Sequence, residues 1–374
     1  MHTSFGKFIE KGIFGRILLV IIYIGLAYGA IMNGWAMWVA ARNPWLAVAA
    51  GIFYAAIGVF TLMQRAVTEK WKSKRLEAAM GFSACFFIYD FLFLLFWGIL
   101  DAIFPISESA GAIGVLGSDV LAGVTVAGGR LYARRVKRTA YSIGLGLKGP
   151  AYRIAMLSDI HLGVFVREKH VQRIVDEVNK IQADAVVICG DIIDSNHHIL
   201  EDEDALAKIS AAFRKIQARE GVFAVLGNHD PNAGDERFGK FLRCADIRLL
   251  DNQAARLSRI NLVGRTNACN NERAPIDVFS KEIEKSLPVV VLDHDPRAIP
   301  EAVEFGADLV LSGHTHRGQF FPMTYFTKLA NGKHYFYGCE SFGKTRAVIS
   351  SGAGFFQLPV RIGTSNEVVD IQLV

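Results

Sequence analysis

Residues 185–194 read AVVICGDIID, a short apolar run that leads directly into Gly190 and the carboxylates of Asp191 and Asp194. A run of this length, bounded by glycine and polar residues, predicts a buried β-strand. The apolar runs of this kind cover residues 153–157, 185–189, 222–226, 289–292 and 309–311. Amphipathic helical patterns over residues 168–181 and 204–218 lie between the first three runs. This alternation predicts an α/β domain.

Each predicted strand ends in side chains of the kind that bind metal ions. The clusters are Asp159-x-His161, Gly190-Asp191-x-x-Asp194, Gly227-Asn228-His229-Asp230, Asp293-His294-Asp295 and Gly313-His314-x-His316. Any one of them alone is more often a structural loop than a catalytic one. In α/β sheets, however, ligands bind beyond the carboxyl ends of the strands. Five such clusters at strand ends therefore predict one shared site.

Together, these motifs resemble the calcineurin-like metallophosphoesterase superfamily over about residues 153–374. The stretch GHTHRGQF at residues 313–320 resembles the bacterial membrane-associated branch of that superfamily, as does the glycine-containing segment 350–361. One position departs from the pattern: Arg317 stands where many relatives carry glycine, close enough to His316 to reach a substrate phosphate. The resemblance implies a calcineurin-like α/β sandwich that holds two divalent metal ions.

The resemblance also implies a role for each motif residue. The first ion is expected on Asp159, His161 and His316, and the second on Asn228, His294 and His314. Asp191 is expected to bridge the two ions, and His229 to act as the general acid. Carboxylate, imidazole and amide ligands suit Mn²⁺, Fe²⁺ or Zn²⁺.

Other polar residues of the motifs have weaker expectations. Asp230 and Asp194 are candidates for orienting ligand side chains, although Asp194 is equally plausible as a loop or helix-capping residue. The remaining histidines have no predicted catalytic role: His197 and His198 are expected to be solvent-exposed, and His170 and His334 match no motif.

The N-terminal part of the chain is largely apolar. Four stretches stand out, over residues 17–32, 45–63, 82–104 and 110–128. A helix needs about 20 residues to cross a bilayer. The sequence therefore predicts a transmembrane anchor of about four helices over residues 1–138 and a phosphoesterase domain over residues 150–374. Asp90 and Asp119 fall inside the predicted spans, where an acid either marks function or packs against neighbouring helices.

The basic residues predict the orientation of these spans. The net charge is +5, and much of the excess flanks apolar segments, a pattern typical of membrane spans rather than of nucleic-acid binding. The alternation of basic segments predicts a multi-pass protein of the cell inner membrane with a cytoplasmic catalytic domain. The five cysteines form no CxxC pair, which fits a reducing compartment. If the fourth stretch, which is glycine-rich, does not cross, the domain would lie outside.

The sequence thus predicts a membrane-bound, two-metal phosphoesterase that hydrolyses a phosphate ester or phosphoanhydride. Its expected partners are the lipid bilayer and a phosphorylated small molecule or lipid, with no nucleic acid. One alternative is a pyrophosphatase of the UDP-2,3-diacylglucosamine type. Another is a non-catalytic membrane sensor whose phosphoesterase-like domain only binds, but a domain of that kind usually lacks ligands, and none is missing from these motifs.

Overall fold

A computed structural model describes residues 13–63, 74–267 and 273–374. The chain divides into two compact units. One unit extends to Leu131 and includes Gln357–Val360, and the other comprises Tyr132–Phe356 and Arg361–Val374. Several basic residues used to predict the orientation, and Cys269, lie outside the described residues.

The N-terminal unit contains four long helices, α1 (Ile13–Ala41), α2 (Pro44–Leu62), α3 (Lys74–Ile103) and α4 (Glu108–Tyr132). Each is long and apolar enough to cross a membrane. Large apolar side chains are exposed on each of them, for example Ile24, Phe53, Phe96 and Ile113. Outward-facing apolar side chains are what a lipid environment favours, so the predicted set of four apolar helices is confirmed.

The first helix extends further than the sequence predicted. The segment 33–44, which lies between the first two predicted apolar stretches, remains helical as far as Ala41. Asn33 is accommodated because its side-chain amide donates to the Gly29 carbonyl one turn earlier, at 3.1 Å. The turn that follows is short, and the Asn43 side chain caps α2 by accepting from the backbone of Trp45 and Leu46.

Both intramembrane acids have protein partners inside the helical unit. The Tyr54 hydroxyl donates to the buried Asp90 carboxylate. The Asn33 amide lies 3.5 Å from Asp119 Oδ1. Packing against neighbouring helices therefore accounts for the position of both acids.

The described residues of the C-terminal unit form two sheets of six strands each. The strands of the first sheet are β1 (Val136–Ile143), β2 (Tyr152–Leu157), β3 (Ala185–Cys189), β4 (Val222–Val225), β5 (Ile247–Leu249) and β12 (Asn366–Leu373). The strands of the second sheet are β6 (Gln253–Arg256), β7 (Asn261–Gly264), β8 (Val289–Leu292), β9 (Leu309–Ser312), β10 (Gly338–Phe342) and β11 (Thr345–Ile349). The spatial orders are β1-β12-β2-β3-β4-β5 and β10-β11-β9-β8-β7-β6.

Parallel pairing dominates where the motifs lie. Strands β2, β3, β4 and β5 pair in parallel, as do β7, β8, β9 and β11. The carboxyl ends of β2, β3 and β4 therefore meet at one edge of the first sheet, and those of β8 and β9 meet at one edge of the second. This arrangement brings the five sequence clusters to the same end of the domain.

The two sheets pack face to face, with helices on their outer faces. In β2, Ile154 and Met156 belong to the core between the sheets, whereas Ala155 and Leu157 belong to the core under the helices. The helices of this unit are α5 (Glu168–Asn179), α6 (Glu203–Phe213), α7 (Glu236–Cys244), α8 (Ile299–Phe305) and α9 (Met323–Asn331). Helices α5, α6 and α7 cover the first sheet, and α8 covers the second. The predicted α/β fold class is confirmed.

Helix α5 shows why these elements form. Its buried residues Val171, Ile174, Val175 and Val178 follow the 3.6-residue period. Burying each of these aliphatic side chains contributes about 1.5–3 kcal/mol. Short 3₁₀ helices complete the unit, at His198–Glu201, Ile276–Lys281, Pro296–Ala298, His316–Gly318 and Lys333–Tyr335.

Two boundaries differ from the sequence prediction. Helix α6 ends at Phe213 rather than near residue 218. The Asn179 side chain binds the backbone of Lys215 and Gln217, which holds this segment out of the helix. Strand β1 begins at Val136, inside the range predicted for the anchor, because its backbone pairs in parallel with β12 along its full length.

Candidate metal centre

Three predicted ligands gather beyond β2 and β9. The ligand atoms of Asp159, His161 and His316 all lie within 4.8 Å of one another. The two imidazole Nε2 atoms of His161 and His316 are 3.0 Å apart, and His316 Nε2 is 3.4 Å from Asp159 Oδ1. All three residues are buried.

A second group forms beyond β3, β8 and β9, from Asp191, His294 and His314. His294 Nε2 lies 3.2 Å from Asp191 Oδ2 and 3.3 Å from His314 Nδ1. Asn228, which follows β4, brings its amide Oδ1 to 2.8 Å from His314 Nδ1 and 3.1 Å from His294 Nε2. The structure therefore brings Asn228 to the group that the sequence predicted.

Asp191 lies between the two groups. Its Oδ2 is 3.2 Å from His294 Nε2 on one side and 3.6 Å from His161 Nε2 on the other. Its Oδ1 accepts a hydrogen bond from the backbone N–H of His229, at 2.8 Å. Asp191 is thus a carboxylate that faces both groups.

The donor chemistry of the second group fits a cation. His294 Nδ1 donates to the Cys189 carbonyl, at 2.8 Å, so its Nε2 keeps a lone pair when the ring is neutral. That lone pair faces the acceptor oxygens of Asn228 and Asp191. A cluster of acceptors around one point is stabilised by a positive charge placed among them.

The pKa values of the group support this conclusion. Burial alone would lower the pKa of His294, but the nearby Asp191 carboxylate raises it to about 10. Burial would likewise raise the pKa of Asp191, but His294 and its neighbouring imidazoles hold it well below the ordinary value. The site thus favours both an ionised carboxylate and a positive charge beside it, as a divalent ion provides.

The remaining imidazoles are held neutral. Burial lowers the pKa of His161 to about 3 and that of His314 to about 4. Burial also lowers the pKa of His316 well below its ordinary value. Neutral imidazole is the form that binds metal ions. In contrast, burial raises the pKa of Asp159 to about 6, and a cation at the first group would favour its ionised form.

The loops that carry the ligands are held in unusual backbone conformations. Positive φ angles, uncommon for residues other than glycine, occur at five of the seven predicted ligands: Asp159, His161, Asp191, His314 and His316. Backbone hydrogen bonds hold these turns, since Asp159 N donates to the Gly190 carbonyl and His161 N to the Asp191 carbonyl, both at 3.0 Å. Strained conformations of this kind cluster at functional sites.

Comparison with known proteins agrees with this geometry. The sequence model of the calcineurin-like phosphoesterase family matches residues 152–318. An uncharacterized metallophosphoesterase of Aquifex aeolicus is 30% identical over 244 residues, which cover 60% of this chain and 86% of that protein. The chain belongs to the calcineurin-like phosphoesterase family. With its two groups of metal-binding side chains, this membership implies a dinuclear divalent metal site.

Two further relatives match the same region. An uncharacterized metallophosphoesterase of Helicobacter pylori strain J99 is 34% identical over 228 residues, covering 59% of this chain and 60% of that protein. A "transmembrane protein with metallophosphoesterase domain" of Danio rerio is 32% identical over 239 residues, covering 59% of this chain and 53% of that protein. The chain thus matches little more than half the length of either relative. The bacterial relatives are consistent with the predicted bacterial branch, and the four apolar helices indicate a membrane protein.

In this calcineurin-like phosphoesterase, His229 lies next to the two groups of predicted metal ligands. Its Nδ1 is 2.6 Å from Ser195 Oγ, and its ring stacks on Phe356 with the centroids 4.7 Å apart. The His161 ring centroid lies 5.4 Å from that of His229. Burial lowers the pKa of His229, although Asp191 opposes that shift.

Phe356 was not predicted from the sequence. Its ring contacts three histidines of the site, with centroid distances of 5.2 Å to His161, 4.7 Å to His229 and 6.2 Å to His316. Its backbone is bound on both sides by the Gln319 side chain, at 2.7 and 3.1 Å. No metal-binding signal marks a phenylalanine, so only the fold reveals this contact.

The predicted orienting acids have different roles. The Asp230 carboxylate accepts from the backbone N–H groups of Ile193 and Gly227, both at 2.8 Å, so it joins two loops instead of contacting a ligand side chain. Burial raises the pKa of Asp230 to about 7. Asp194 Oδ1 accepts from Ser195 N and lies 3.8 Å from His161 Nδ1, beyond hydrogen-bond distance.

Three further histidines and Arg317 have partners other than the predicted ligand side chains. His197 donates from Nε2 to the His229 carbonyl, and buried His170 contacts the Ala353 carbonyl, both at 2.8 Å. His334 pairs with Glu340 at the surface. The Arg317 guanidinium lies over the Tyr337 ring, 4.4 Å from its centroid.

Arg361 holds the backbone of the site through hydrogen bonds from its side chain. Its buried guanidinium donates to the His316 carbonyl at 2.9 Å and to the Ser351 carbonyl at 2.8 Å, and its Nε donates to Asn366 Oδ1 at 2.7 Å. Burial lowers the pKa of Arg361 to about 10, which leaves it charged at neutral pH. Arg361 thus fixes the backbone that presents His316.

Proposed function

We propose that this chain is a membrane-bound phosphohydrolase that uses two divalent metal ions to hydrolyse a phosphate ester or phosphoanhydride. The observation that carries the proposal is the convergence of metal-binding side chains from five strand ends onto two adjacent groups, with Asn228 reaching the second group through its contacts to His314 and His294. A binding-only domain would need no such complete set. Mn²⁺, Fe²⁺ and Zn²⁺ are the ions that suit these ligands.

Each of the two groups of side chains is proposed to bind one of the two ions. Asp159, His161 and His316 hold one ion, Asn228, His294 and His314 hold the other, and Asp191 serves both. When bound, such a pair of ions lowers the pKa of a water molecule and offsets negative charge on the phosphoryl oxygens. Five of the ligands are buried, which keeps these charges strong because the surroundings screen them weakly: Asp159, His161, Asp191, His294 and His316.

His229 is the proposed general acid. In the imidazolium form, Nδ1 donates to the Ser195 hydroxyl and Nε2 carries the second proton, which can pass to the leaving oxygen and leave the ring neutral. Stacking on Phe356 holds the ring plane in place. A fixed orientation matters because proton transfer needs the donor within hydrogen-bond reach of the leaving group.

The proposed location is the cell inner membrane, with several spans and a cytoplasmic catalytic domain. The four apolar helices and the Danio rerio transmembrane relative support a membrane location. The four cysteines in the described residues, Cys85, Cys189, Cys244 and Cys339, are free, which fits a reducing compartment.

The test uses the full chain purified in detergent. Metal content is measured by elemental analysis, and turnover is followed with an aryl phosphate monoester and diester. We expect metal-dependent hydrolysis that is lost on chelation and restored by Mn²⁺, Fe²⁺ or Zn²⁺. A protein that binds two ions but shows no turnover on any phosphate ester or anhydride would support the non-catalytic sensor instead.

A lipid-linked phosphate is the favoured substrate class because the chain is membrane-bound. One alternative within this class is a pyrophosphatase of the UDP-2,3-diacylglucosamine type. The same metal site could serve each of these substrates, so only turnover distinguishes them. The test compares the rate of hydrolysis of UDP-diacylglucosamine with the rates for phospholipid monoesters and simple diesters.

A further inference from the structure

Helix α9 exposes an unusual amount of apolar surface. Among the described residues after Tyr132, six large apolar side chains are exposed, and four of them lie within residues 321–329. We name Phe321, Tyr325, Phe326 and Leu329 the α9 face. Tyr325 and Leu329 are one turn apart, and Leu329 is 73% exposed. None of the residues of α9 is buried, so core packing does not explain this apolar composition.

The chain segment that carries the α9 face has basic but no acidic side chains. No Asp or Glu occurs between Asp308 and Glu340, whereas Lys328 and Lys333 are exposed on or next to the helix. Exposed aromatic and aliphatic side chains combined with lysines are typical of helices that lie at the surface of an anionic bilayer. Lysines near such a surface are attracted to its anionic headgroups.

The α9 face is firmly attached to the metal centre. The turn His316–Gly318 carries one predicted ligand, and a Cβ on Gly318 would lie 2.4 Å from Thr324 Cα, so helix and turn are in close contact. Thr324 N donates to the Phe320 carbonyl at 3.1 Å. Gln319, between them, binds the backbone of Phe356. A surface that contacted lipid here would therefore hold the metal centre close to the lipid headgroups.

The chain itself keeps this unit near a membrane. Helix α4 ends at Tyr132 and strand β1 begins at Val136. The intervening residues span at most about 10 Å when extended. A membrane surface is thus the partner that the tethered unit meets at the highest local concentration.

We propose that the α9 face is a lipid-docking surface that enters the headgroup region of an anionic bilayer and presents the metal centre to phosphate-bearing headgroups. The apolar side chains would contact the acyl boundary while Lys328 and Lys333 pair with lipid phosphates. The substrate part of this inference rests on the proposed function, whereas the docking part does not.

The docking test uses the full chain in nanodiscs. Cys244, Cys269 and Cys339 are replaced by serine, and a fluorophore is attached at Leu329→Cys. We expect quenching by phospholipids that carry a quencher at the top of the acyl chain, stronger in phosphatidylcholine–phosphatidylglycerol than in phosphatidylcholine alone. The matched control is Val278→Cys, an exposed apolar position on another element, and it should stay unquenched.

A kinetic arm tests what docking does. The triple variant Tyr325→Ser, Phe326→Ser and Leu329→Ser should raise the KM for phosphatidic acid in the nanodisc roughly tenfold, because membrane binding scales with the apolar area inserted. Its kcat/KM for a soluble aryl phosphate should equal that of the parent, as should both parameters of Val278→Ser. This split excludes a general loss of folding.

The outcomes separate the two proposals. If no quencher-bearing lipid quenches the label at residue 329, the docking surface is overturned. A second copy of the chain or a protein partner that covers the α9 face would give this result. Quenching without turnover on any phosphate supports docking and contradicts the proposed function. Quenching with an unchanged KM in the triple variant overturns the role of docking in substrate access.

Discussion

Asp191 divides its two oxygens between different tasks. Oδ1 accepts from the His229 backbone, and Oδ2 faces His294 and His161. Asp191→Ala removes the carboxylate that lies between the two groups, so we expect loss of at least one bound ion and activity at background. Elemental analysis and aryl phosphate turnover measure both effects. Asp277→Asn, at an exposed position, is the control, and near-normal turnover of Asp191→Ala would contradict the two-metal proposal.

His229 should affect rate without affecting metal content. Its Nδ1 pairs with Ser195 Oγ and its ring stacks on Phe356, and the ring lies beside that of His161 at a centroid distance of 5.4 Å. General acids contribute about 10²–10⁴-fold to rate, so His229→Ala should lose activity in that range. The loss should be largest for alkyl esters, whose poor leaving groups need a proton, and smallest for nitrophenyl esters. An equal loss across the leaving-group series would refute the general-acid role.

The sequence predicted the ligands of the site but not the residues that hold those ligands in position. Asp159 and His314 are recognisable because carboxylates and imidazoles at strand ends indicate metal binding. Phe356 and Arg361 carry no such signal, since one acts through ring stacking and the other through donation to the His316 carbonyl. Contacts of this kind depend on loop geometry, which no local pattern specifies.

At the scale of elements, the turn after β3 depends on Gly190. Its φ is +82°, and a Cβ there would lie 2.7 Å from His294 Nδ1 and 2.8 Å from Gly227. A residue other than glycine in this backbone region costs about 1–3 kcal/mol, before the steric clash is counted. Gly190→Ala should therefore lower both the thermal stability of the detergent-solubilised chain and its metal content.

Gly221 supplies a matched control for that prediction. Its φ is +102°, but an added Cβ would meet nothing within 4 Å. Gly221→Ala carries the backbone strain without the clash, so it should lose some stability and keep full metal content. Equal metal content in the two variants would show that the turn after β3 does not need the close approach at Gly190.

Strands were easier to predict than helix ends. The runs at 185–189 and 289–292 coincide with β3 and β8 because both sheet faces bury those residues, which leaves a continuous apolar signal. The end of α6 depends instead on Asn179, a side chain 36 residues away from Lys215 in the sequence. A contact of that range cannot be read from the periodicity of the helix itself.

For the whole molecule, the membrane topology can be tested directly by finding the side of the membrane on which the C-terminal unit lies. If α4 crosses the membrane, the turn between α3 and α4 lies on one side of the bilayer and the chain that follows α4 lies on the other side. We propose that the C-terminal unit is cytoplasmic. Cys244 is exposed and free, so it reports the location of that unit directly.

An impermeant maleimide applied to intact cells should leave Cys244 unlabelled until the cells are lysed. Ser107→Cys, exposed in the turn between α3 and α4, should be labelled without lysis and serves as the positive control within the same chain. Labelling of both positions in intact cells would mean that α4 does not cross, despite its 25 helical residues. The metal centre would then face outward, where the bilayer leaflet and the available phosphate substrates differ. The same pair of cysteines thus decides which leaflet the α9 face can reach.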